Sequence, residues 1–300
     1  KFFFFNIYET INDQGNSQDY QDDINYVLEK SIINHTQSDV GFSLQLSGGL
    51  DSSLIAAILK KKINKKIDTY SIKIDDSDYD ETKYRKVVNK LYSSNHYELK
   101  CDSNVFADAF ERAITSLEMP STHLGCILLY SLCEKVSKKH KVILTGEGAD
   151  ELFGGYSRYS EIRKLIYLKK LSNFIPDVFI KSIKKLNFLE YHKKTNPFFE
   201  MMTYRKYDLL KEIFSDVQLD LDYRKEVLSK FSDPLDKLTS YDQTIYLESL
   251  LLRQDKLSMA HGLEARVPFV DLNLIKKINF LSRDIKYNKK TTKIILKRVA

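Results

Sequence analysis

The sequence predicts an α/β fold, a parallel sheet with helices on both faces, followed by a mostly helical C-terminal lobe. Two observations predict it. In residues 40–145, short apolar runs alternate with helix-length amphipathic segments, the pattern of strands joined by helical crossovers. From residue 157 onward there is almost no strand signal, and Leu, Ile and Phe recur at three- and four-residue spacing between Lys and Glu. A third observation agrees: Gly 10 and Pro 5 in 300 residues are few, which favours long helices over the many tight turns of a β-sandwich.

Residues 18–36 carry Tyr20, Ile24, Val27, Leu28 and Ile32 at helical spacing. The apolar run 40–46 then leads through Ser47-Gly48-Gly49-Leu50-Asp51-Ser52-Ser53 into an apolar helix over 54–60, which reads as strand, glycine turn, helix. The order repeats with a strand over 67–74, a helix over 80–91 with acids in its first turn, and a short strand over 96–99. Helices are predicted over 102–117 and 124–137, and a strand over 141–145 that runs into Gly146-Glu147-Gly148. The predicted organisation is an entry segment 1–17, an α/β domain 18–156 and a helical lobe 157–300, punctuated by Pro176, Pro197 and Pro234.

The bulk composition narrows the function. With 43% hydrophobic and 29% charged residues, a core is attainable without disulfide or metal staples. The formal charge of +6 is dispersed in lysines along the chain, so a solvated helical surface is expected rather than a nucleic-acid patch. Cys101, Cys126 and Cys133 have neither CxxC nor metal spacing and read as thiols in a reducing, cytoplasmic setting. No apolar run is long enough to span a bilayer, and Phe2-Phe3-Phe4-Phe5 is too short for a signal-peptide core. The chain starts at Lys1 and stops at Ala300 inside a helical pattern, as a piece of a longer protein would.

Two glycine turns fall at predicted strand ends, where open parallel sheets bind ligands. In the first, Gly48 and Gly49 let the backbone approach a ligand closely, and the N–H groups of the helix start face outward with the hydroxyls of Ser47, Ser52 and Ser53. This makes an anion cradle of phosphate size. It is not a Walker A loop, because Asp51 stands where a lysine might. A carboxylate beside phosphates requires an intervening cation, and Mg²⁺ suits it. An ordinary N-cap is the plainer explanation of the same residues.

The second turn, Thr145-Gly146-Glu147-Gly148-Ala149-Asp150-Glu151-Leu152-Phe153-Gly154-Gly155-Tyr156, carries three acids in five positions. These repel one another unless a cation balances them, and Asp150 is placed to share Mg²⁺ with Asp51 while Glu147 faces substrate. A solvated acidic loop is the alternative. A third segment, residues 253–271, mixes Asp255, Lys256, Glu264 and Arg266 with apolar residues; it reads either as a structural ion-pair network or as a site where Arg266 meets a carboxylate or pyrophosphate. His123, His140 and His261 are isolated, with packing or surface roles expected.

At these three segments, and at Asp80-Glu81, the chain strongly resembles the asparagine synthetase family, over roughly residues 20–300. The resemblance implies an adenine nucleotide α-hydrolase, or ATP pyrophosphatase, fold. It implies ATP with its phosphates on Ser47, Gly48, Gly49 and Ser52, Asp51 in the same ATP site, the adenosine flanked by Leu46 and Ile72, and Thr145 and Gly146 nearby. It implies Mg²⁺ on Asp51 and Asp150, with Glu147 and Arg266 as catalytic residues. The implied reaction is aspartate, ATP and ammonia (from glutamine) to asparagine, AMP and pyrophosphate through a β-aspartyl-AMP intermediate. Its partners would be a glutaminase domain and, as candidate assembly, a homodimer; neither a membrane nor nucleic acid is expected.

Two departures accompany the likeness. The family's glutaminase domain, which begins at a cysteine, is missing here, and a basic segment with a catalytic lysine lies beyond Ala300. Lys293 and Arg298 are assigned to the preceding helix and given no catalytic role, so the chain alone is expected to bind ATP·Mg²⁺ but to be weak or dead as a catalyst. Related enzymes that amidate surface sugars, cyclise peptides or close β-lactams share these loops, as would a non-catalytic ATP-binding homologue. tRNA-modifying enzymes with a similar pyrophosphate loop lack the second and third segments.

Overall fold

In a computed structural model, the described residues are 17–64, 67–73, 81–119, 121, 123–176, 197–202, 222–288 and 291–300. The aromatic run at positions 2–5, nearly all of the predicted entry segment and Asp80 lie outside them. The chain runs α1 (Ser17–Asn34), β1 (Phe42–Gln45), α2 (Leu50–Ile63), β2 (Ile67–Lys73), α3 (Thr82–Tyr92), β3 (Ser93–Lys100), α4 (Ser103–Leu117), α5 (Gly125–Ser137), β4 (Val142–Leu144) and α6 (Ala149–Phe153). It continues through α7 (Arg158–Phe174), α8 (Pro197–Met202), α9 (Asp222–Ser229), α10 (Pro234–Tyr241), a π-helical turn (Asp242–Tyr246), α11 (Leu247–Met259) and β5 (Glu264–Arg266). A 3₁₀ turn (Pro268–Val270), α12 (Leu272–Phe280), α13 (Arg283–Lys286) and α14 (Ile294–Val299) complete it.

The five strands form one parallel sheet in the order β3-β2-β1-β4-β5. Both faces are covered. On β4, Val142 and Leu144 point into a core built from α1, α2, α12 and α14, while Ile143 points into a second core built from α4, α5 and α11. That alternation explains why the strand reads as an unbroken apolar run: a parallel strand between two helical layers buries both of its faces. The spacing of Ile24, Leu28 and Ile32 likewise puts one stripe of α1 against the first core, where all three are fully buried.

Side chains fix several helix starts. Asp102 accepts from the N–H groups of Asn104 and Val105, and Asp271 from those of Asn273 and Leu274, satisfying donors that the first turn leaves open. The predicted helix and strand sequence through 145 is reproduced, although α2 begins at Leu50, inside the glycine turn. The fifth strand was not predicted. It holds three residues, Glu264-Ala265-Arg266, with no apolar alternation, and it exists because its backbone pairs with β4 from Val142↔Glu264 to Leu144↔Arg266. No described helix is long and apolar enough to cross a membrane.

The helical segments after α6 enclose a buried charge. Asp242, 1% exposed, accepts from Tyr159 Oη at 2.6 Å and pairs with Arg158 Nη2 at 2.7 Å. The Arg158 guanidinium lies over the rings of Tyr156 and Tyr246 at 4.1 and 4.8 Å. Removing one member of such a pair strands the other. Asp242→Ala is therefore expected to lower stability by about 3 kcal/mol, read as a shift in urea midpoint, while an exposed control such as Glu248→Ala changes it little.

Candidate functional site

The strand order reverses between β1 and β4, so the segments that leave their carboxyl ends diverge to either side and open a crevice. Those two segments are the glycine turns. The first enters α2 through Gly48, whose φ of +104° is a left-handed conformation that side chains rarely adopt. A Cβ there would also press against the Glu81 carbonyl and the backbone of Arg85. Ser47 Oγ accepts from Gly49 N–H at 3.0 Å and lies 3.1 Å from Ser52 Oγ, which draws the hydroxyls together at the helix start. Ser53 Oγ is buried with no hydrogen-bond partner.

Arg85, on α3 and 4% exposed, holds this turn from behind. It donates to the Ser47 carbonyl at 3.1 Å and to Thr82 Oγ1 at 2.8 Å, and it pairs with Glu98 on β3 at 2.9 Å. A charge this buried is stable because both terminal nitrogens are engaged. Leu46, fully buried, donates its N–H to the Tyr70 carbonyl at 2.8 Å, and Ile72 lies further along β2.

The second turn leaves β4 at Thr145, whose N–H donates to the Arg266 carbonyl at 2.9 Å and whose hydroxyl accepts from Glu147 N–H at 3.3 Å. Gly146 brings the turns into contact: a Cβ there would sit 3.2 Å from Asp51 Cβ. Asp51 and Asp150 then face one cation. Lys293 Nζ lies 2.5 Å from Asp51 Oδ2 and 2.7 Å from Asp150 Oδ1. Gly155 is needed beside this triad, because a Cβ would overlap the Asp150 carboxylate and the Lys293 side chain.

The ammonium comes from 242 positions away and stands on a left-handed residue, φ +52°, at the start of α14. Non-glycine residues held there store strain that the surroundings must enforce. In the sequence Lys293 reads only as a helix residue, and it reaches the acids because α14 packs on α1 and α6.

The electrostatics follow from burial and crowding. Burial pushes the Asp51 carboxyl up from its ordinary range, Lys293 pulls it down, and Asp150 and Glu81 add to the rise. Burial alone would lower the Lys293 ammonium, but Asp51 and Asp150 outweigh it and raise it. Glu147 is raised by burial, opposed by Arg253 and reinforced by Asp150 and Asp51. Glu151, buried and accepting from Tyr156 Oη, is pushed up to about 7 by the same desolvation.

Arg266 is not in this group. On β5 it donates through Nη1 to the carbonyls of His35 and Gln37 at 2.9 and 2.7 Å, and through Nε to Glu264 at 2.8 Å, bracing the end of α1. The arginine near Glu147 is instead Arg253 of α11, 3.9 Å from its carboxylate. Among the described residues, no three His, Cys, Asp or Glu side chains converge as a metal cluster.

Removing the ammonium leaves Asp51 and Asp150 facing each other, so Lys293→Met is expected to be less stable at neutral pH. The deficit is about 2 kcal/mol, discounted because Asp150 is partly open to solvent. Lys293 pulls the raised Asp51 carboxyl down, so without it that carboxyl rises further; the deficit is full above the variant's higher pKa and shrinks as pH falls through it and then through the native one. Denaturant midpoints of both proteins across pH measure this.

The asparagine synthase family model matches residues 23–300. A putative glutamine-hydrolysing asparagine synthetase of Mycobacterium bovis is 27% identical over 305 residues, covering 94% of this chain and 46% of the relative. Asparagine synthetase 1 of Bacillus subtilis is 25% identical over 292 residues, covering 90% and 45%. The chain thus spans under half the length of these curated relatives. An NH3-dependent NAD synthetase from Campylobacter jejuni superposes with a TM-score of 0.33 at 14% identity, over 80% of this chain and 96% of that one, too loosely to define the fold. The match over residues 23–300 shows that the chain belongs to the asparagine synthase family.

Proposed function

We propose that this chain carries the ATP-dependent amide-forming site of a glutamine-hydrolysing asparagine synthetase, a carbon–nitrogen ligase that adenylates aspartate and transfers ammonia to it. The observation that carries the reading is the meeting of Asp51 and Asp150 on the Lys293 ammonium, beside a glycine turn that opens α2.

In this reading the N–H groups at the start of α2 and the hydroxyls of Ser47 and Ser52 receive the phosphates, with Gly48 and Gly49 allowing the close approach and Arg85 fixing the turn. Leu46, Ile72, Thr145 and Gly146 flank the nucleoside. Asp51 and Asp150 suit Mg²⁺: Asp51 Oδ1 is buried with no hydrogen-bond partner, and one or two carboxylates completed by phosphate oxygens are the usual magnesium set. When bound, the ion would neutralise charge on the leaving pyrophosphate.

The first step joins a carboxylate oxygen of aspartate to the α-phosphorus and breaks the bond to pyrophosphate. Lys293 keeps positive charge beside the transferred group. In the second step the nitrogen of ammonia attacks the acyl carbon and AMP departs. Glu147, whose carboxylate burial makes more basic than an ordinary one, takes the proton. A glutaminase unit would supply the ammonia, as the relatives' glutamine-hydrolysing names suggest for them.

With Lys293 standing between the acids, the chain itself is expected to turn over, where the sequence alone led to a weak or inactive catalyst; the test supplies L-aspartate, ammonium and Mg·ATP to it and separates the nucleotide products. AMP and pyrophosphate with labelled asparagine are expected, with Asp51→Asn reducing turnover by about 100-fold or more. ADP as product contradicts adenylation, and AMP without asparagine contradicts aspartate as acceptor.

A further inference from the structure

The arginines around the crevice divide into two kinds. Arg85, Arg158 and Arg266 are hydrogen-bonded to their own chain. Arg253 is not. Its Nε is buried with no hydrogen-bond partner, and its ionic neighbour Glu147 stands at 3.9 Å, beyond hydrogen-bonding distance. Its side chain is 18% exposed and that of Glu147 30%, so solvent-sized groups reach both. The nearby His123 ring adds no second positive charge: burial and the Arg253 charge hold its pKa below the usual histidine range.

A guanidinium removed from water without acceptors is costly, and its planar fork matches a carboxylate bidentately. Glu147 feels both Arg253 and the aspartate pair, which places Arg253 next to the reaction centre while Lys293 serves the acids. We infer that Arg253 anchors the non-reacting α-carboxylate of the amino-acid substrate, an inference that rests on the amide-synthetase reading. The reacting carboxylate is the poorer partner, since a bidentate cation would withdraw the electron density with which it attacks phosphorus. Holding the remote carboxylate instead fixes the reactive one in line without weakening it.

The experiment measures binding without turnover, by calorimetry in the presence of magnesium and α,β-methylene ATP. The probes are L-aspartate and β-alanine, which keeps the amine and the reactive carboxylate but lacks the α-carboxylate. The native chain is expected to bind L-aspartate at least about tenfold more tightly than β-alanine, and Arg253→Ala to weaken L-aspartate by about 50-fold while moving β-alanine by less than about twofold. Arg253→Lys, which keeps the charge but not the fork, should recover only part of the loss, and it decides the matter if the alanine variant fails to fold. Equal weakening of both probes, absence of discrimination in the native chain, or no L-aspartate binding at all overturns the inference. Arg253-dependent L-aspartate binding without pyrophosphate release from ATP would instead sustain the anchor and overturn the adenylation reading.

Discussion

The contact on which the crevice depends is the Lys293 ammonium between Asp51 and Asp150. Two carboxylates drawn from different strand ends would repel at this distance, and the other nearby cations serve other groups, Arg85 the Ser47 carbonyl and Arg253 the Glu147 carboxylate. The ammonium turns repulsion into a three-centre ion pair and ties α14 to the sheet's carboxyl edge. Several local features follow from it. Gly155 must lack a side chain to leave room for the triad, Lys293 must take a left-handed backbone, and Gly146 must let the two turns touch.

The sheet supplies the geometry in which this contact can form. Because β1 and β4 are neighbours while their following segments run to opposite sides, the crevice opens between them. Arg85 and Glu98 extend the same logic outward. By donating to the Ser47 carbonyl while pairing with Glu98 on β3, Arg85 ties the first turn to the neighbouring strand.

Much of this could be read in the sequence, for identifiable reasons. The parallel sheet announced itself because strands buried on both faces are unbroken apolar runs, and the two turns because glycines and acids cluster at strand ends. Other features depended on tertiary placement. Glu264-Ala265-Arg266 has no periodicity to reveal a strand. Lys293 is one lysine in a chain with 47 basic residues, and only the packing of α14 selects it. Arg266 attracted a substrate role by its residue type, yet carbonyls at the end of α1 engage it, while Arg253 was passed over in the same segment. Arg85 did leave a signal: it shares a helical face with Val88 and Tyr92, which pack on the core, and a charge on such a face needs a partner.

The measurement that tests the shared-cation account most directly is a double-mutant cycle on Mg·ATP affinity with Asp51→Asn, Asp150→Asn and the double variant. If both carboxylates act on one cation, each single change removes most of the affinity and the second adds little, a coupling of about 1 kcal/mol or more. Losses that simply add would contradict it, because they would mean that the two acids serve separate places.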